Sequence, residues 1–466
     1  MRNFLLCLWL LLTAIFSPLI SAAETPSDAN IKGAACLVSD SEGRVLITRD
    51  ILNNSLSIPG GYIDSNTPSD AAVRETLEET GIKVLPIREL VRMDNAVLYD
   101  CRATHPIPVH ENADGTAMVA AWQAEHFGRE VRSVMMRKPD AFLLEHARFP
   151  DQVKLFPSLL KESSASDIQN YADFSALSTP FNQWNAQWNR KFQEVIHTLP
   201  SAVGAFLGAA SELGNGALFF ILVPFAMATG GLKRTAQLLL VTIGVTLVVT
   251  FIKLNLAVPR PFYLYPDLQL SQASGFSFPS GHTATAFAVW GLVFLWFKKA
   301  GYSNLAIWWV PSLLVAMSRV YLGVHYVTDV LAGAVIGTLI VALSQTSAFK
   351  ARLLSPLFWL VIGVATLPLA ATQVQPVFLY CAMFALSLAV ALFAMRNALP
   401  DRPAPFGKRG FFVTLAGMMV IAAGMGGVAI WSNSSIEILV ANSVGFILLA
   451  LWLGGVAPKI LSRKTH

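Results

Sequence analysis

Hydrophobic and polar residues divide this chain of 466 residues into two unlike parts. Residues 24 to about 200 carry frequent Asp, Glu, Arg and Lys side chains, as ordinary soluble sequence does, whereas residues 201–466 consist of apolar runs joined by short polar links. An apolar run of about 20 residues is long enough to cross a bilayer as a helix. The pattern therefore predicts one body in water and a second in lipid.

The second part contains nine candidate membrane spans. They lie at approximately 212–230, 235–252, 282–297, 304–323, 326–346, 355–373, 376–395, 411–431 and 437–457. If the first span enters from the exported side, alternate links hold the Lys and Arg clusters at 233–234, 298–299, 350–352, 396–409 and 459–464. Because cytoplasmic links are enriched in Lys and Arg, this bias sets the orientation. It also accounts for the net charge of +5, so no nucleic-acid partner is expected.

Residues 1–23 have the pattern of a secretory signal. Arg2 precedes an apolar stretch from Phe4 to Ile20, and the small residues Ser21-Ala22-Ala23 follow. An uncleaved anchor is the alternative, since the stretch nearly spans a bilayer. Both interpretations export the soluble part. In an oxidising compartment Cys36 and Cys101 are able to form a disulfide, and the sequence leaves open whether they come within range.

The soluble part alternates as a strand, turn and strand over residues 31–49, followed by a Gly60-Gly61 turn. A helix is then predicted from the cap at Thr67 to the stop at Gly81. Its three glutamates are spaced three and four residues apart, so they share one face and repel one another unless a cation lies among them. These glutamates are Glu75, Glu78 and Glu79. Carboxylate ligands suit Mg²⁺ or Mn²⁺.

Three clusters of phosphate-binding residue types lie among the apolar runs. They are Lys253 to Arg260-Pro261, then Pro279-Ser280-Gly281-His282, then Ser318-Arg319 with His325 and Asp329. Intramembrane charges are costly and mark functional sites, and the predicted topology brings all three clusters to the exported face. His325 and Asp329 are four residues apart, so the carboxylate can hold one ring nitrogen and leave the other free. The alternative is that these residues cap helices and snorkel toward headgroups.

The three clusters resemble the signatures of the type 2 phosphatidic acid phosphatase family: Lys-x6-Arg-Pro, Pro-Ser-Gly-His and Ser-Arg-x5-His-x3-Asp. The resemblance implies that His325 forms a phosphohistidine, that Asp329 orients it and that His282 protonates the leaving oxygen. It also implies a phosphate clamp made of Lys253, Arg260, Ser280, Gly281 and Arg319. The family needs no metal.

The predicted helix of the soluble part is similar to the Nudix hydrolase box. Arg74, Glu75, Glu78, Glu79 and Gly81 match its helical half, whereas Thr76 replaces a bulky apolar residue. The loop ahead departs further: Asn66 replaces the first Glu, and counting from Gly61 leaves the loop one residue short. The resemblance implies a diphosphatase using Mg²⁺ or Mn²⁺ through Glu75, Glu78 and Glu79, with Gly60, Gly61, Arg74 and Gly81 as structural residues. A binding or structural remnant is the alternative.

We therefore expect an α/β Nudix-like sandwich followed by an all-α polytopic membrane domain. The predicted divisions are a signal at 1–23, a Nudix-like domain at 24–165, a linker or interfacial helix at 166–200, a phosphatase core at 201–350 and additional spans at 351–466. The additional spans show no acid-base cluster, and their role is left open.

The expected location is a bacterial inner membrane, with the Nudix domain and the phosphatase site facing the periplasm. The expected activity removes phosphate from a lipid, with undecaprenyl diphosphate as first choice and phosphatidylglycerophosphate or another glycerolipid phosphate as runner-up. The partners are the lipid substrate and the bilayer. A non-catalytic lipid transporter or scaffold is the alternative from another class.

Overall fold

The computed structural model describes residues 31–64, 67–93, 95–112, 116–397 and 405–462. The predicted signal at 1–23 and the departure at Asn66 lie outside these ranges. The described chain begins with a β-rich domain and continues as helices, which confirms the predicted fold class.

Twelve strands are described in the N-terminal domain. They are β1 (Gly33–Leu37), β2 (Ser39–Asp40), β3 (Val45–Asp50), β4 (Leu56–Ser57), β5 (Gly60–Tyr62), β6 (Val84–Arg92), β7 (Ala96–Ala103), β8 (Ile107–Glu111), β9 (Ala117–Val119), β10 (Val131–Arg137), β11 (Ala165–Ser166) and β12 (Ile168–Tyr171). One sheet has the order β5-β1-β7-β6, and the other has the order β11-β2-β3-β10-β9-β8-β12 with β4 beside β3. The predicted boundary at residue 165 falls inside the second sheet, because β11 pairs with β2 and β12 with β8.

Helix α1 (Pro68–Thr80) lies where the sequence predicts it. The Thr67 hydroxyl accepts a hydrogen bond from the Asp70 amide (3.2 Å), and Gly81 ends the helix in a left-handed conformation with φ 75°. Ala71 and Ala72 are buried in the core that α1 shares with β1. Cys36 on β1 and Cys101 on β7 form a disulfide with their Cα atoms 5.4 Å apart, which answers the question left open by the sequence.

The remaining helices follow in chain order. They are α2 (Ala141–Glu145), α3 (Pro150–Leu159), α4 (Pro180–His197), α5 (Ser201–Ala210), α6 (Phe219–Leu256), α7 (Pro261–Leu264), α8 (Gly281–Lys299), α9 (Ala306–Tyr321), α10 (Val327–Ser344), α11 (Ser347–Arg352), α12 (Pro356–Gln373), α13 (Pro376–Met395), α14 (Gly407–Trp431), α15 (Ser435–Leu451) and α16 (Ala457–Ser462), with a π-helical turn at Trp452–Val456.

Six described segments are long and apolar enough to cross a membrane. They are Gly216–Leu264, Val327–Ser344, Pro356–Gln373, Pro376–Met395, Gly407–Trp431 and Ser435–Ser462. The first covers most of the predicted span at 212–230 and all of the one at 235–252. Gly231 breaks its helix between them (φ 60°, ψ −158°), a conformation that glycine tolerates. The predicted spans at 282–297 and 304–323 correspond to α8 and to the 16-residue α9, which the six do not include. The helical part is therefore multi-pass, while the count of nine spans is not confirmed.

The β-rich domain rests on loops at one end of the helical part. Arg129 donates to the side chain of Gln373 at the end of α12 (3.3 Å), and the Ser435 hydroxyl at the start of α15 donates to Asp50 (2.7 Å). Phe127 packs on Phe276 with ring centroids 5.6 Å apart. The helices beyond residue 355 thus contribute part of the surface that contacts the β-rich domain.

Candidate functional site

The three clusters of the helical part meet around His325. Lys253 lies in the last turn of α6, and Arg260 directly precedes α7. Both cations, together with Arg319 and His282, lie close enough to His325 to act on it electrostatically. The residues that the sequence grouped are therefore brought together.

Asp329 holds His325 through the start of α10. Its Oδ2 accepts hydrogen bonds from the Tyr326 amide (2.8 Å) and the Ser277 hydroxyl, and it lies 3.4 Å from His325 Nδ1. The predicted contact forms, although not across a shared helix face, because His325 precedes the first residue of α10. The carboxylate instead turns back across the first helical turn, as a capping side chain does.

The second ring nitrogen of His325 faces Arg260. Nε2 lies 3.3 Å from the Arg260 Nη1 atom, and a guanidinium only donates hydrogen bonds. Nε2 must therefore present its lone pair, and the ring proton belongs on Nδ1, toward Asp329. His325 and Asp329 are each 1% exposed, and Arg260 is 7% exposed. The arrangement leaves a fixed imidazole with one basic nitrogen beside a cation.

The two cations nearest the imidazole also hold the surrounding loops. Arg260 donates to the carbonyl of Ser274 through Nε (2.9 Å) and Nη2 (2.8 Å), and to that of Val324 through Nη1 (2.7 Å). The Lys253 ammonium donates to the carbonyls of Phe276 (2.5 Å) and Ser277 (2.9 Å). Neither cation has a carboxylate within 4 Å among the residues that the structure describes. Their charge is thus available to an anion.

Arg319 approaches from the last turn of α9. Its Nη1 atom donates to the Ser211 hydroxyl (2.6 Å), whereas its buried Nε atom has no acceptor in the described part of the chain. A buried donor without an acceptor is costly, and an oxygen ligand would remove that cost. Arg319 is therefore a third cation of this site, with one donor that an anion could satisfy.

Ser280 serves mainly as the cap of α8. Its hydroxyl accepts from the Thr283 amide (3.4 Å), and its own amide donates to the Asp329 carbonyl (2.9 Å). The next two amides, of Gly281 and His282, begin the helix and find no acceptor in the ranges described. These free amides, rather than Ser280 itself, are the available anion donors at this helix start.

Two contacts of the site were not predicted from the sequence. The Ser277 hydroxyl lies 3.4 Å from His325 Nδ1 while donating to Asp329, and no sequence signal marks it. The Asn189 amide on α4 donates to the carbonyls of His325 (2.9 Å) and Val320 (3.3 Å). The helical spacing of the polar residues in α4 was a usable signal for Asn189.

Helix α4 is amphipathic with its polar side inward. Its buried residues include Asn182, Asn185, Asn189 and Gln193. Its aromatic side chains point outward, with Phe181, Trp184 and Trp188 exposed by 58%, 50% and 47%. This helix packs on the helical part, through Asn189 and Gln193, and presents an aromatic outer face.

The acidic cluster of the β-rich domain gathers on α1. Arg74 forms ion pairs with Glu75 (2.8 Å) and Glu78 (2.7 Å). Ligand atoms of Glu75, Glu78 and His126 all lie within 4.8 Å of one another. His126 was not predicted, because it lies 47 residues beyond the last of the three glutamates in sequence. Two carboxylates and an imidazole fit a divalent cation.

Glu79 points elsewhere. Its carboxylate accepts a hydrogen bond from the Gly60 amide (3.2 Å), and burial raises the pKa of this carboxyl well above its ordinary value, with the Glu75 charge adding to the effect. Burial also raises the pKa of Glu75. A β-carbon at Gly61 would collide with the Glu75 carboxylate, so this glycine lets the loop approach the cluster.

Comparison with known families matches both parts of the chain. The NUDIX domain model matches residues 29–156, and the PAP2 superfamily model matches residues 234–353. The first match contains the glutamates of α1, and the second contains all three clusters around His325.

Two curated relatives match the helical part. The bacitracin transport permease protein BcrC of Bacillus licheniformis is 39% identical over 82 residues, which cover 17% of this chain and 38% of that protein. Phosphatidylglycerophosphatase B of Bacillus subtilis (strain 168) is 41% identical over 83 residues, which cover 16% of this chain and 41% of that protein. The chain thus spans about two fifths of the length of these relatives.

Solved structures give distant likenesses to each part. A crystal structure of a transmembrane PAP2 type phosphatidylglycerolphosphate phosphatase from Bacillus subtilis is 26% identical, with a TM-score of 0.32, covering 38% of this chain and 90% of that one. A UDP-X diphosphatase is 16% identical, with a TM-score of 0.22, covering 34% and 73%. Neither likeness is close enough to bear on function. The family matches and the six apolar segments together identify the chain as a multi-pass membrane protein that joins a NUDIX domain to a PAP2 superfamily domain.

Proposed function

We propose that this protein is an integral membrane phosphatase that removes phosphate from a lipid phosphate or diphosphate. The observation that carries the proposal is the buried His325 imidazole, held by Asp329 on one nitrogen and faced by Arg260 on the other. Lys253 and Arg319 add positive charge around it. A fixed basic nitrogen among unpaired cations suits attack on a phosphoryl group.

In the proposed reaction, a phosphate oxygen takes the Arg260 contact and frees Nε2 of His325. Nε2 attacks the terminal phosphorus, and the bond from that phosphorus to the leaving oxygen breaks as His282 donates its proton to this oxygen. The leaving oxygen is the lipid's ester oxygen in a monophosphate and the bridging oxygen in a diphosphate. Asp329 stabilises the positive charge on the phosphorylated ring. Water then attacks phosphorus while His282 accepts its proton, the bond from phosphorus to Nε2 breaks, and inorganic phosphate leaves the regenerated His325. Lys253, Arg260, Arg319 and the amides of Gly281 and His282 stabilise the transferring group, which agrees with a reaction without metal.

The proposed location is the periplasmic face of a bacterial inner membrane. Three loops contact the β-rich domain, at Phe276, Gln373 and Ser435. The carbonyl of Phe276 also accepts a hydrogen bond from Lys253, one of the cations around His325, which supports a shared end for this domain and the phosphatase site. The links rich in Lys and Arg, such as 233–234 and 350–352, alternate with these loops along the chain. Because cations favour the cytoplasmic side, His325 and the NUDIX domain are assigned to the opposite side.

Helix α4 fits this placement as an interfacial helix. Trp184 and Trp188 point outward, and the Lys191 ammonium lies 5.1 Å from the Trp188 ring centroid. Aromatic and cationic side chains of this kind concentrate at the headgroup level of a bilayer. We therefore assign residues 180–197 to the membrane interface above the phosphatase site.

The proposed substrate is undecaprenyl diphosphate, with phosphatidylglycerophosphate as the second candidate. Undecaprenyl diphosphate is a lipid carrier that is released at the periplasmic face, where the proposed site would bind it. The second candidate is supported by one relative, phosphatidylglycerophosphatase B. The clusters recognise phosphate and leave the lipid tail to other contacts.

The test is phosphate release by purified, detergent-solubilised protein in EDTA. Undecaprenyl diphosphate and phosphatidylglycerophosphate are compared as substrates, with His325→Ala as the inactive control. The expected result is release that survives EDTA and falls by at least roughly 10⁴-fold in the variant, as when a nucleophile is removed. Lipid binding without release from either substrate would instead favour a transporter or scaffold.

A second activity is proposed for the NUDIX domain: hydrolysis of a diphosphate with Mg²⁺ or Mn²⁺. The supporting observation is the convergence of Glu75, Glu78 and His126. A divalent ion held there would polarise a phosphate and activate water. Glu79 is not one of the three converging ligands, but it lies close enough to Glu75 for the two charges to interact, so it adds negative charge beside the ion. Arg74 neutralises the two glutamates that it contacts, and Gly60 and Gly61 keep the loop close. A headgroup-binding module is the alternative.

This second activity is tested in the full chain carrying His325→Ala, which removes the first. Hydrolysis of diphosphate substrates should require Mg²⁺ or Mn²⁺ and should fall by at least roughly 10²-fold in Glu79→Gln. Turnover that persists in EDTA would show that the metal assignment is wrong. Binding without turnover at any metal concentration would support the headgroup module.

A further inference from the structure

A cavity of about 770 Å³ lies between the β-rich domain and the loop that follows Arg260. One wall is built from β3, β9 and β10, and the other from residues 262–274. Its size is within the range of pockets that hold small ligands. Neither the α1 glutamates nor His282 and His325 line it, so it is separate from both acid-base clusters.

The cavity concentrates positive charge without matching negative charge. Arg49, Arg132 and Arg137 line it. Arg137 is paired with Asp140 (2.9 Å), but Arg49 and Arg132 have no carboxylate within 4 Å and no acceptor for their buried Nε atoms in the described ranges. Burial, with repulsion from Arg132 and Arg137, lowers the pKa of Arg49. An anion would satisfy both free guanidinium groups.

The aromatic and amide side chains of the cavity indicate which chemical group could be attached to the anion. Trp122 of the β-rich domain stacks on Tyr263 of the helical part, with centroids 6.2 Å apart and planes 8° apart. Gln269 and Gln272 add amide donors and acceptors from the loop. Aromatic surfaces beside arginines suit a phosphorylated ligand that carries an apolar or planar group.

The same loop connects the cavity with the phosphatase site. Ser274 lines the cavity, and its carbonyl accepts two hydrogen bonds from Arg260 (2.9 and 2.8 Å). Tyr263 follows Arg260 by three residues. A ligand in the cavity would therefore contact both domains and the segment that positions Arg260.

We propose that this cavity is a binding site for a diphosphate attached to an apolar or planar group, with Arg49 and Arg132 holding the diphosphate and Trp122 and Tyr263 packing on the attached group. The site is formed by the two domains jointly. Binding at this cavity does not require hydrolysis by either domain. It can therefore be tested separately from the proposed activities.

The test is calorimetric titration of the full chain in detergent with EDTA, which removes metal-assisted binding at the glutamates. Lys253→Gln/Arg319→Gln is the background, so that the phosphatase clamp does not contribute. Inorganic diphosphate, uridine diphosphate and geranyl diphosphate are the probes. One site per chain is expected, and Arg49→Gln/Arg132→Gln should weaken it at least roughly tenfold, because charged hydrogen bonds are lost. Arg102→Gln, an exposed arginine outside the cavity, should bind as the background does.

Tighter binding of geranyl diphosphate would identify a lipid headgroup as the natural source, and tighter binding of uridine diphosphate a soluble nucleotide. Equal affinity in the Arg49→Gln/Arg132→Gln variant, or no binding of any probe to the background protein, would overturn the proposal. If the glutamine pair does not melt cooperatively, Arg49→Lys/Arg132→Lys keeps the charge but loses the forked geometry, and an intermediate affinity is then expected. Affinity unchanged in that pair would also count against the assignment.

Discussion

The two candidate sites differ in how their residues come together. The phosphatase cluster draws on segments from Lys253 to Asp329, and the fold closes them around one buried imidazole. The NUDIX cluster takes three glutamates from five consecutive residues of one helix, yet only Glu75 and Glu78 converge with His126. The three distant clusters thus came together as predicted, whereas the spacing of the glutamates on α1 did not show which of them would converge. A helix fixes which side chains share a face, but the loop opposite decides which of them meet.

Substitution of Arg319 should give the largest effect among these variants, and it tests whether the phosphatase cluster is a catalytic site. Arg319→Gln should lower the rate of phosphate release by roughly 10²–10³-fold, as loss of one preorganised donor does. The steady-state rate in EDTA is the measurement. Arg352→Gln, which removes an exposed cation that donates to the Ala348 carbonyl on its own helix, is the matched control and should be near wild type. Equal rates in the two variants would reduce Arg319 to a structural role.

Asn189 tests whether the long-range site depends on the helix above it. Asn189→Ala leaves the His325 and Val320 carbonyls without this donor, so we expect about 1–3 kcal/mol of lost stability. Thermal unfolding in detergent measures the effect. Gln187→Ala, on the exposed side of the same helix, should change stability by less than about 0.5 kcal/mol. Similar melting of both variants would show that α4 does not support the site.

His126 tests which residues form the metal site of the NUDIX cluster. If it completes the set with Glu75 and Glu78, His126→Ala should raise the Mn²⁺ concentration for half-maximal diphosphate hydrolysis by about tenfold or more, since one ligand is worth at least about 1.4 kcal/mol. His146→Ala, an exposed histidine of the same domain, is the control. If the Mn²⁺ concentration for half-maximal hydrolysis does not change, His126 is not a ligand and the metal is held by glutamates alone.

Glu79 gives the smallest expected effect and depends on pH. Because its folded pKa is raised, the stability it contributes is present below the ordinary carboxyl pKa and is lost as pH rises through the folded pKa. In EDTA, Glu79→Gln should therefore melt at least about 2 °C above wild type at pH 8, with the difference shrinking toward pH 5. A constant difference between the two pH values would contradict the raised pKa.

The sequence predicted much of this fold for physical reasons that are visible in single residues. Thr67 and Gly81 set the ends of α1, and apolar length located most membrane helices. The pairing of His325 with Asp329 was also predicted, although the carboxylate reaches back across a helix start. The pairing of β12 with the distant β8 crosses the predicted division at residue 165, and such pairing leaves no local pattern in the sequence.

The missed residues share one property: each acts through a contact between distant segments. Ser277 reaches Asp329, and His126 reaches Glu78 on another element. The polar side chains of α4 face inward, and its aromatic side chains are exposed among the residues that the structure describes, so hydrophobicity alone did not indicate which face packs on protein. Cys36 and Cys101 likewise lay in plausible strands, but only the parallel pairing of β1 with β7 brings them within bonding range.

The most direct test of the central claim is to trap the phosphorylated protein. The full chain is mixed in EDTA with lipid diphosphate labelled at its terminal phosphate and is quenched within one turnover. The label should be bound covalently at His325, absent from His325→Ala and unaffected by Glu79→Gln. Label that persists on His325→Ala, or phosphate release without any labelled protein in wild type, would contradict the assignment of His325 as the nucleophile.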